Sequence, residues 1–161
     1  MRESHDIEQA IATFGDAVWR ACLVYVSPSE AEDVFQNTFI SYAMHDADFS
    51  NAEHVRAWLL RVAINNCKDI LKSARKQNTS LDELIETGGA SSFGTTDDNI
   101  HALREALDAL NALDDPPKTQ LYLSLCEGYS APEIAKMLDM PLGTVYSWIS
   151  RGKRKLREVL S

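Results

Sequence analysis

The stretch TVYSWISRGKRKLR, residues 144–157, sets hydroxyl, aromatic and guanidinium groups at helical spacing and follows them with a run of cations. Hydroxyls and guanidinium groups hydrogen-bond the edges of bases, whereas long cationic side chains meet phosphates without regard to sequence. Thr144, Tyr146, Ser147 and Arg151, near the helix start, are therefore candidates for base contact, and Lys153, Arg154, Lys155 and Arg157 for phosphate contact. A second set lies upstream. In HVRAWLLRVAINNCKDILKSARK, residues 54–76, the amides of Asn65 and Asn66 stand beside Lys68, Lys72, Arg75 and Lys76, a combination suited to exposed bases as well as phosphates. Phe49, Ser50 and Asn51 precede that segment in a loop, where a pocket for an unpaired base can form.

Catalytic chemistry is poorly provided for. His5, His45, His54 and His101 form no close ligand pattern, no glycine-rich phosphate loop follows a strand, and Cys22, Cys67 and Cys126 are widely spaced among apolar residues. The expectation is no catalytic site, no metal and no cofactor, with buried free thiols in a reducing compartment. No apolar run is long enough to span a membrane, so the expected location is cytoplasmic, without membrane insertion.

Helices must position the candidate side chains. Ile7, Ala10, Ile11, Phe14, Val18, Cys22 and Val26 recur at mostly three- and four-residue intervals and predict one inward helix face. Ser27, Pro28 and Glu30 then spell a capping box, opening a helix through DVFQNTFISYAM that turns Val34, Phe35, Thr38, Phe39 and Tyr42 inward. After the break at HDADF, Ser50 and Glu53 repeat the capping signature. The long helix that follows has Val55, Trp58, Leu59, Val62, Ile70 and Leu71 mainly inward, which makes packing rather than base stacking the expected work of Trp58.

Near the end of the chain, Gly128 closes one helix and Ser130, with Glu133 three residues on, opens a short one bearing Ile134, Ala135 and Leu138. Asp139, Met140 and Pro141 supply a turn, and a longer helix from Leu142 has Val145, Ile149, Gly152, Leu156 and Val159 or Leu160 inward. A basic terminal helix alone is more often a solvated face than a DNA reader. The capped short helix and the turn before it reverse that judgement.

The expected fold is all-α, with a helical domain over 1–77, a flexible acidic linker over 78–100 and a helix-turn-helix domain over 101–161. Charge divides the same way. The chain carries a formal charge of −8, yet residues 51–77 hold six Lys/Arg against two Asp/Glu, and residues 118–161 hold seven against four. Two basic blocks alternating with two acidic ones allow selected surfaces to face nucleic acid while the rest repels it. The acidic linker would also compete with DNA for those basic faces.

The order and spacing of EAEDVFQNTFISYA, then VRAWLLRVAINNCKDILKSARK, then LDDPPKTQLYLSLCEGYSAPEIAKMLDMPLGTVYSWISRGKRKLREVL resemble the extracytoplasmic-function (ECF) RNA polymerase sigma factors of the sigma-70 family. The resemblance implies a non-catalytic initiation subunit whose domain 2 binds core RNA polymerase and helps recognise and open the −10 promoter element, and whose domain 4 reads the −35 element. It implies a core-binding helix with Glu32, Asp33, Gln36, Asn37, Phe39 and Ile40, a base-capturing loop over Phe49–Glu53, and a recognition helix in which Trp148 joins Thr144, Tyr146, Ser147 and Arg151. It also implies promoter DNA and a possible anti-sigma factor as partners. The chain departs from the family by carrying Ile64, Tyr146 and Trp148 where basic residues are common, Asn37 for a frequent Asp and Ala43 for a frequent Trp. Two other readings fit parts of the pattern: a non-sigma helix-turn-helix regulator with an N-terminal dimerisation or sensing domain, and a polymerase-binding protein that reads no DNA.

Overall fold

The computed structural model of the chain describes residues 1–46, 48–77 and 97–160, and all regular structure among them is helical. Two compact units divide the chain, one holding α1 (Ser4–Tyr25), α2 (Pro28–Met44) and α3 (Ala52–Gln77), the other α4 (Asp97–Asn111), α5 (Lys118–Leu125), α6 (Ala131–Leu138) and α7 (Leu142–Leu160). The interval expected as linker is helical from Asp97. Its remainder, 78–96, lies outside the described residues, and with it the expected acidic competition.

In the first unit, small residues let helices approach closely. Ala10, Gly15, Ala17 and Ala21 are buried along α1, and a Cβ at Gly15 would lie 3.5 Å from Phe35 Cζ of α2, an ordinary packing distance. Ile11 is 39% exposed, so the inward face of α1 runs through Val18, Cys22, Val24 and Tyr25 and leaves Ile11 at its edge. On α3 the buried set is Leu59, Leu60, Ala63, Ile64 and Cys67, while Val55, Trp58, Val62, Ile70 and Leu71 are half-buried. The centre of that face differs from the expected one because α3 packs on both α1 and α2, which buries a wider arc than one partner would. On α2, Thr38 is fully buried, and its hydroxyl donates to the Val34 carbonyl at 2.7 Å, so no polar group is left unsatisfied there.

The capping box at Ser27 forms as read. The Glu30 amide donates to Ser27 Oγ at 3.3 Å and the Ser27 amide to Glu30 Oε1 at 3.3 Å. The signature at Ser50 and Glu53 does not become a box. Asn51 starts α3 instead, its Oδ1 accepting from the His54 amide at 2.9 Å, and the Ser50 amide donates to His54 Nδ1 at 3.1 Å.

In the second unit α5 is central, with Lys118 through Leu123 all buried. Its start has no N–H at Pro117 to cap, and the Asp115 carboxylate accepts from both the amide and the hydroxyl of Thr119, at 3.1 and 2.9 Å. Leu107, Leu110, Leu113, Leu121, Tyr122, Ile134, Val145 and Ile149 complete the core. Cys22 and Cys67 are buried free thiols, whereas the free thiol of Cys126 is half-buried.

Candidate nucleic-acid interface

The helix pair α6–α7 is set by local bonds. Ser130 and Glu133 form the second capping box, with the Glu133 amide on Ser130 Oγ at 3.3 Å and the Ser130 amide on Glu133 Oε1 at 2.8 Å. At the other end of α6, Asp139 adopts the left-handed conformation at φ 56°, which turns the chain within three residues. The Asp139 and Met140 amides both reach the Ala135 carbonyl, the latter at 2.9 Å. Met140 Sδ also accepts from Gln120 Nε2 at 3.3 Å, tying the turn to α5.

Beyond that turn, α7 sorts its side chains by helical phase. Val145, Ile149 and Gly152 are buried, Leu156 is half-buried, and Val159 and Leu160 are exposed at 46% and 58%. The inner face therefore ends one turn earlier than expected, where α7 has run past the body of the unit. Gly152 is a point of close approach. A Cβ there would stand 3.1 Å from Pro117 Cβ and 3.3 Å from Leu121 Cδ2, so the α7 backbone sits directly on the start of α5.

Opposite the buried face, Ser147, Arg151 and Arg154 are exposed, with Lys153 and Lys155 exposed beside them. Tyr146 lies on one flank at 56% exposure, and half-buried Thr144 and Trp148 lie on the other. The Arg151 guanidinium carbon stands 4.8 Å from the centre of the Trp148 ring, a cation–π contact that restricts the arginine before any ligand arrives. Trp148 is thus engaged within the helix.

The second candidate set is spread out. Asn65 and Lys72 are exposed, Asn66 and Lys68 half-buried, and Arg75 and Lys76 lie in the last turns of α3. From Asn51 to Lys72 the helix advances roughly 30 Å at 1.5 Å per residue, so these residues make a track along α3 rather than one pocket with the loop. Ile64, where the resembled family often has a base, is 1% exposed and belongs to the core.

The loop itself is a ring cluster. Phe49 lies 5.8 Å from Tyr42, 5.6 Å from His45, 4.9 Å from His54 and 5.8 Å from Trp58, centre to centre. Trp58 in turn stacks near His45 at 4.8 Å. Ser50 and Asn51 are exposed beside it, with Asn51 Oδ1 spent on the α3 cap. Trp58 packs as expected. The sequence reading missed Tyr42, His45 and His54 as supports of the loop, and Arg2 beneath it; the density of rings in YAMHDADFSNAEHVRAW was the available signal.

On α2, Glu32, Asp33, Gln36, Asn37 and Ile40 are exposed on one side, and Ile40 is 59% exposed. Phe39 departs from that group. It is 5% exposed and packs against Phe35, with ring centres 5.0 Å apart. Among the described residues there is no group of three His, Cys, Asp or Glu side chains placed to hold a metal, and no helix long and apolar enough to cross a membrane.

Comparison with known proteins matches this division. The family described as Sigma-70 region 2 covers residues 10–77, and that described as Sigma-70, region 4 covers residues 103–156. The chain is 30% identical over 142 residues to the ECF RNA polymerase sigma-E factor of Haemophilus influenzae, covering 82% of this chain and 75% of that one. It is 29% identical over 130 residues to the RNA polymerase sigma factor CarQ of Myxococcus xanthus, covering 81% and 74%. Its fold is similar to that of the sigma factor RpoE of Bartonella quintana, solved in complex with the anti-sigma factor NepR, with a TM-score of 0.74 at 24% identity and 96% of each chain covered.

Two helical units, the second ending in a helix-turn-helix, with matches to regions 2 and 4 in order, define a sigma-70-type transcription factor. The chain belongs to the ECF RNA polymerase sigma factors of the sigma-70 family and is a sigma subunit that directs transcription.

Proposed function

We propose that residues 1–77 engage core RNA polymerase and the −10 element, and that residues 101–161 read the −35 element. The observation that carries this reading is the sorting of α7, where Val145, Ile149 and Gly152 hold the helix to its unit while Ser147, Arg151 and Arg154 stand outward in a row. Arg151, held by Trp148, and Ser147 take base edges, with Tyr146 and Thr144 at the flanks of the contact. Lys153, Arg154 and Lys155 take phosphates and supply the salt-dependent share of binding.

In the first unit the exposed side of α2, with Glu32, Asp33, Gln36, Asn37 and Ile40, meets a basic surface of the core, and Phe39 supports that side from beneath. The loop at Phe49, Ser50 and Asn51 receives an unpaired base, and Asn65, Lys68, Lys72, Arg75 and Lys76 guide the strand along α3, with Asn66 beneath them. Nucleotide chemistry belongs to the core, so the chain itself is non-catalytic, and it works in the cytoplasm where the polymerase is. An anti-sigma factor is the natural negative partner, as in the complex of the structurally similar RpoE.

In vitro transcription with purified core polymerase and a random promoter pool tests the proposal. Promoter-dependent transcripts with paired upstream and downstream footprints are expected. Core binding without promoter choice would leave a polymerase-binding protein that reads no DNA, and the proposal would fall.

A further inference from the structure

We propose that Arg2 is a positioning residue for the base-receiving loop, a latch that ties the end of α2 to Phe49. This inference rests on the reading of that loop as part of the −10 site. Arg2 is half-buried and makes two hydrogen bonds to the last turn of α2. Its backbone amide donates to the Ala43 carbonyl at 2.9 Å, and its Nε–H donates to the Tyr42 carbonyl at 3.0 Å. Both carbonyls lie in the last turn of α2, where the regular helix bonds run out, and that of Tyr42 also accepts from the His45 amide at 3.2 Å. The last turn of α2 has no basic residue of its own, so Arg2 also supplies the positive charge that this end of the helix dipole favours.

The same side chain reaches the loop. The guanidinium carbon lies 4.4 Å from the centre of the Tyr42 ring and 4.9 Å from that of Phe49. One cation therefore holds a helix end and a loop aromatic together. The rings of Tyr42, His45, His54 and Trp58 surround Phe49 from α2, the loop and α3, whereas Arg2 comes from before α1. Without the Arg2 side chain the backbone bond to Ala43 remains, but the Nε–H donor to Tyr42 and the cation between the Tyr42 and Phe49 rings are lost, and the backbone at Ser50, bonded to His54 Nδ1, follows Phe49. A guanidinium suits the task better than an ammonium because its plane can lie on a ring while its edge still donates.

Two readouts on the full-length chain test the latch, with Arg2→Ala and Arg2→Lys compared against wild type. The first needs no promoter: amide hydrogen exchange at Ser50 is expected to quicken about five-fold in Arg2→Ala, with partial recovery in Arg2→Lys. The second uses holoenzyme and a single-stranded DNA carrying the downstream element of a promoter selected by the wild-type protein. Binding is expected to weaken about five-fold in Arg2→Ala while affinity for core polymerase is unchanged. Phe49→Ala and Asn65→Ala on the same DNA separate the two ideas. If neither weakens binding, the −10 reading itself fails; if both weaken it and Arg2→Ala does not, the latch alone fails. Unchanged Ser50 exchange in Arg2→Ala, or a loss of core affinity equal to the loss of DNA binding, would also overturn the latch.

Discussion

The loop around Phe49 and the outward face of α7, which we propose serve the same kind of ligand, are built in opposite ways. Phe49 is surrounded by rings from both neighbouring helices, and its contacts reach residues as far away in sequence as Arg2. On α7, by contrast, Ser147, Arg151 and Arg154 are exposed on a helix whose position is set behind them by Val145, Ile149 and Gly152. A site that must take in an unpaired base needs a shaped surround, and packing couples that surround to stability. A site that reads an intact duplex needs only a rigid rod with its side chains free, so reading and folding can be separated.

That separation has measurable limits. The largest effect is expected for Trp58→Ala, which removes the ring touching Tyr42, His45 and Phe49 and should cost about 2 kcal/mol, below the range for a fully buried tryptophan because Trp58 is half-buried. Thermal unfolding of the first unit would drop and promoter opening with it. Equal melting curves for mutant and wild type would break the contrast.

Arg151→Ala comes next, with roughly ten-fold less transcription from promoters that depend on the upstream element and no change in melting. Trp148→Ala should give part of that loss through the freed arginine, and adding the two changes should cost less than the sum of each. Additive losses would show that the tryptophan acts on DNA by itself.

Gly152→Ala is expected to lower the stability of the second unit by about 1 kcal/mol, since the crowding at Pro117 outweighs the helix-propensity gain of alanine. Urea unfolding followed by circular dichroism reads this directly. The smallest effect belongs to Tyr146→Ala, within about 0.5 kcal/mol of wild type in stability, while promoter preference shifts in a selection from random sequences. A large fall in stability there would mean that Tyr146 packs on its unit in solution.

How far the sequence could be read depended on the range of the bonds involved. The boxes at Ser27 and Ser130 close within four residues, so the string of letters contains every partner. The same string at Ser50 misled because its outcome is decided by tertiary packing: His54 is drawn into the ring cluster, takes the Ser50 amide, and leaves Asn51 to cap the helix. Ile11 and Leu160 satisfy the helical period and still face outward, since periodicity says nothing of where a neighbouring helix stops. The outward setting of Tyr146, Ser147, Arg151 and Arg154 was legible because helical phase alone decides it, whereas Thr144 and Trp148 are half-buried. The support of the loop was not legible, because Arg2, Tyr42 and Trp58 meet across intervals that no local pattern records.

The contact at Gly152 has a consequence for how this protein can be changed. With the α7 backbone against Pro117 and Leu121, turning the helix would bring a side chain into the space that Gly152 leaves open, so its angular setting is held from the inner side rather than by the letters on its outer side. Those letters form an interchangeable face. Transplanting the outward residues of another reader into α7 should rewrite its promoter choice while the mounting beneath stays the same.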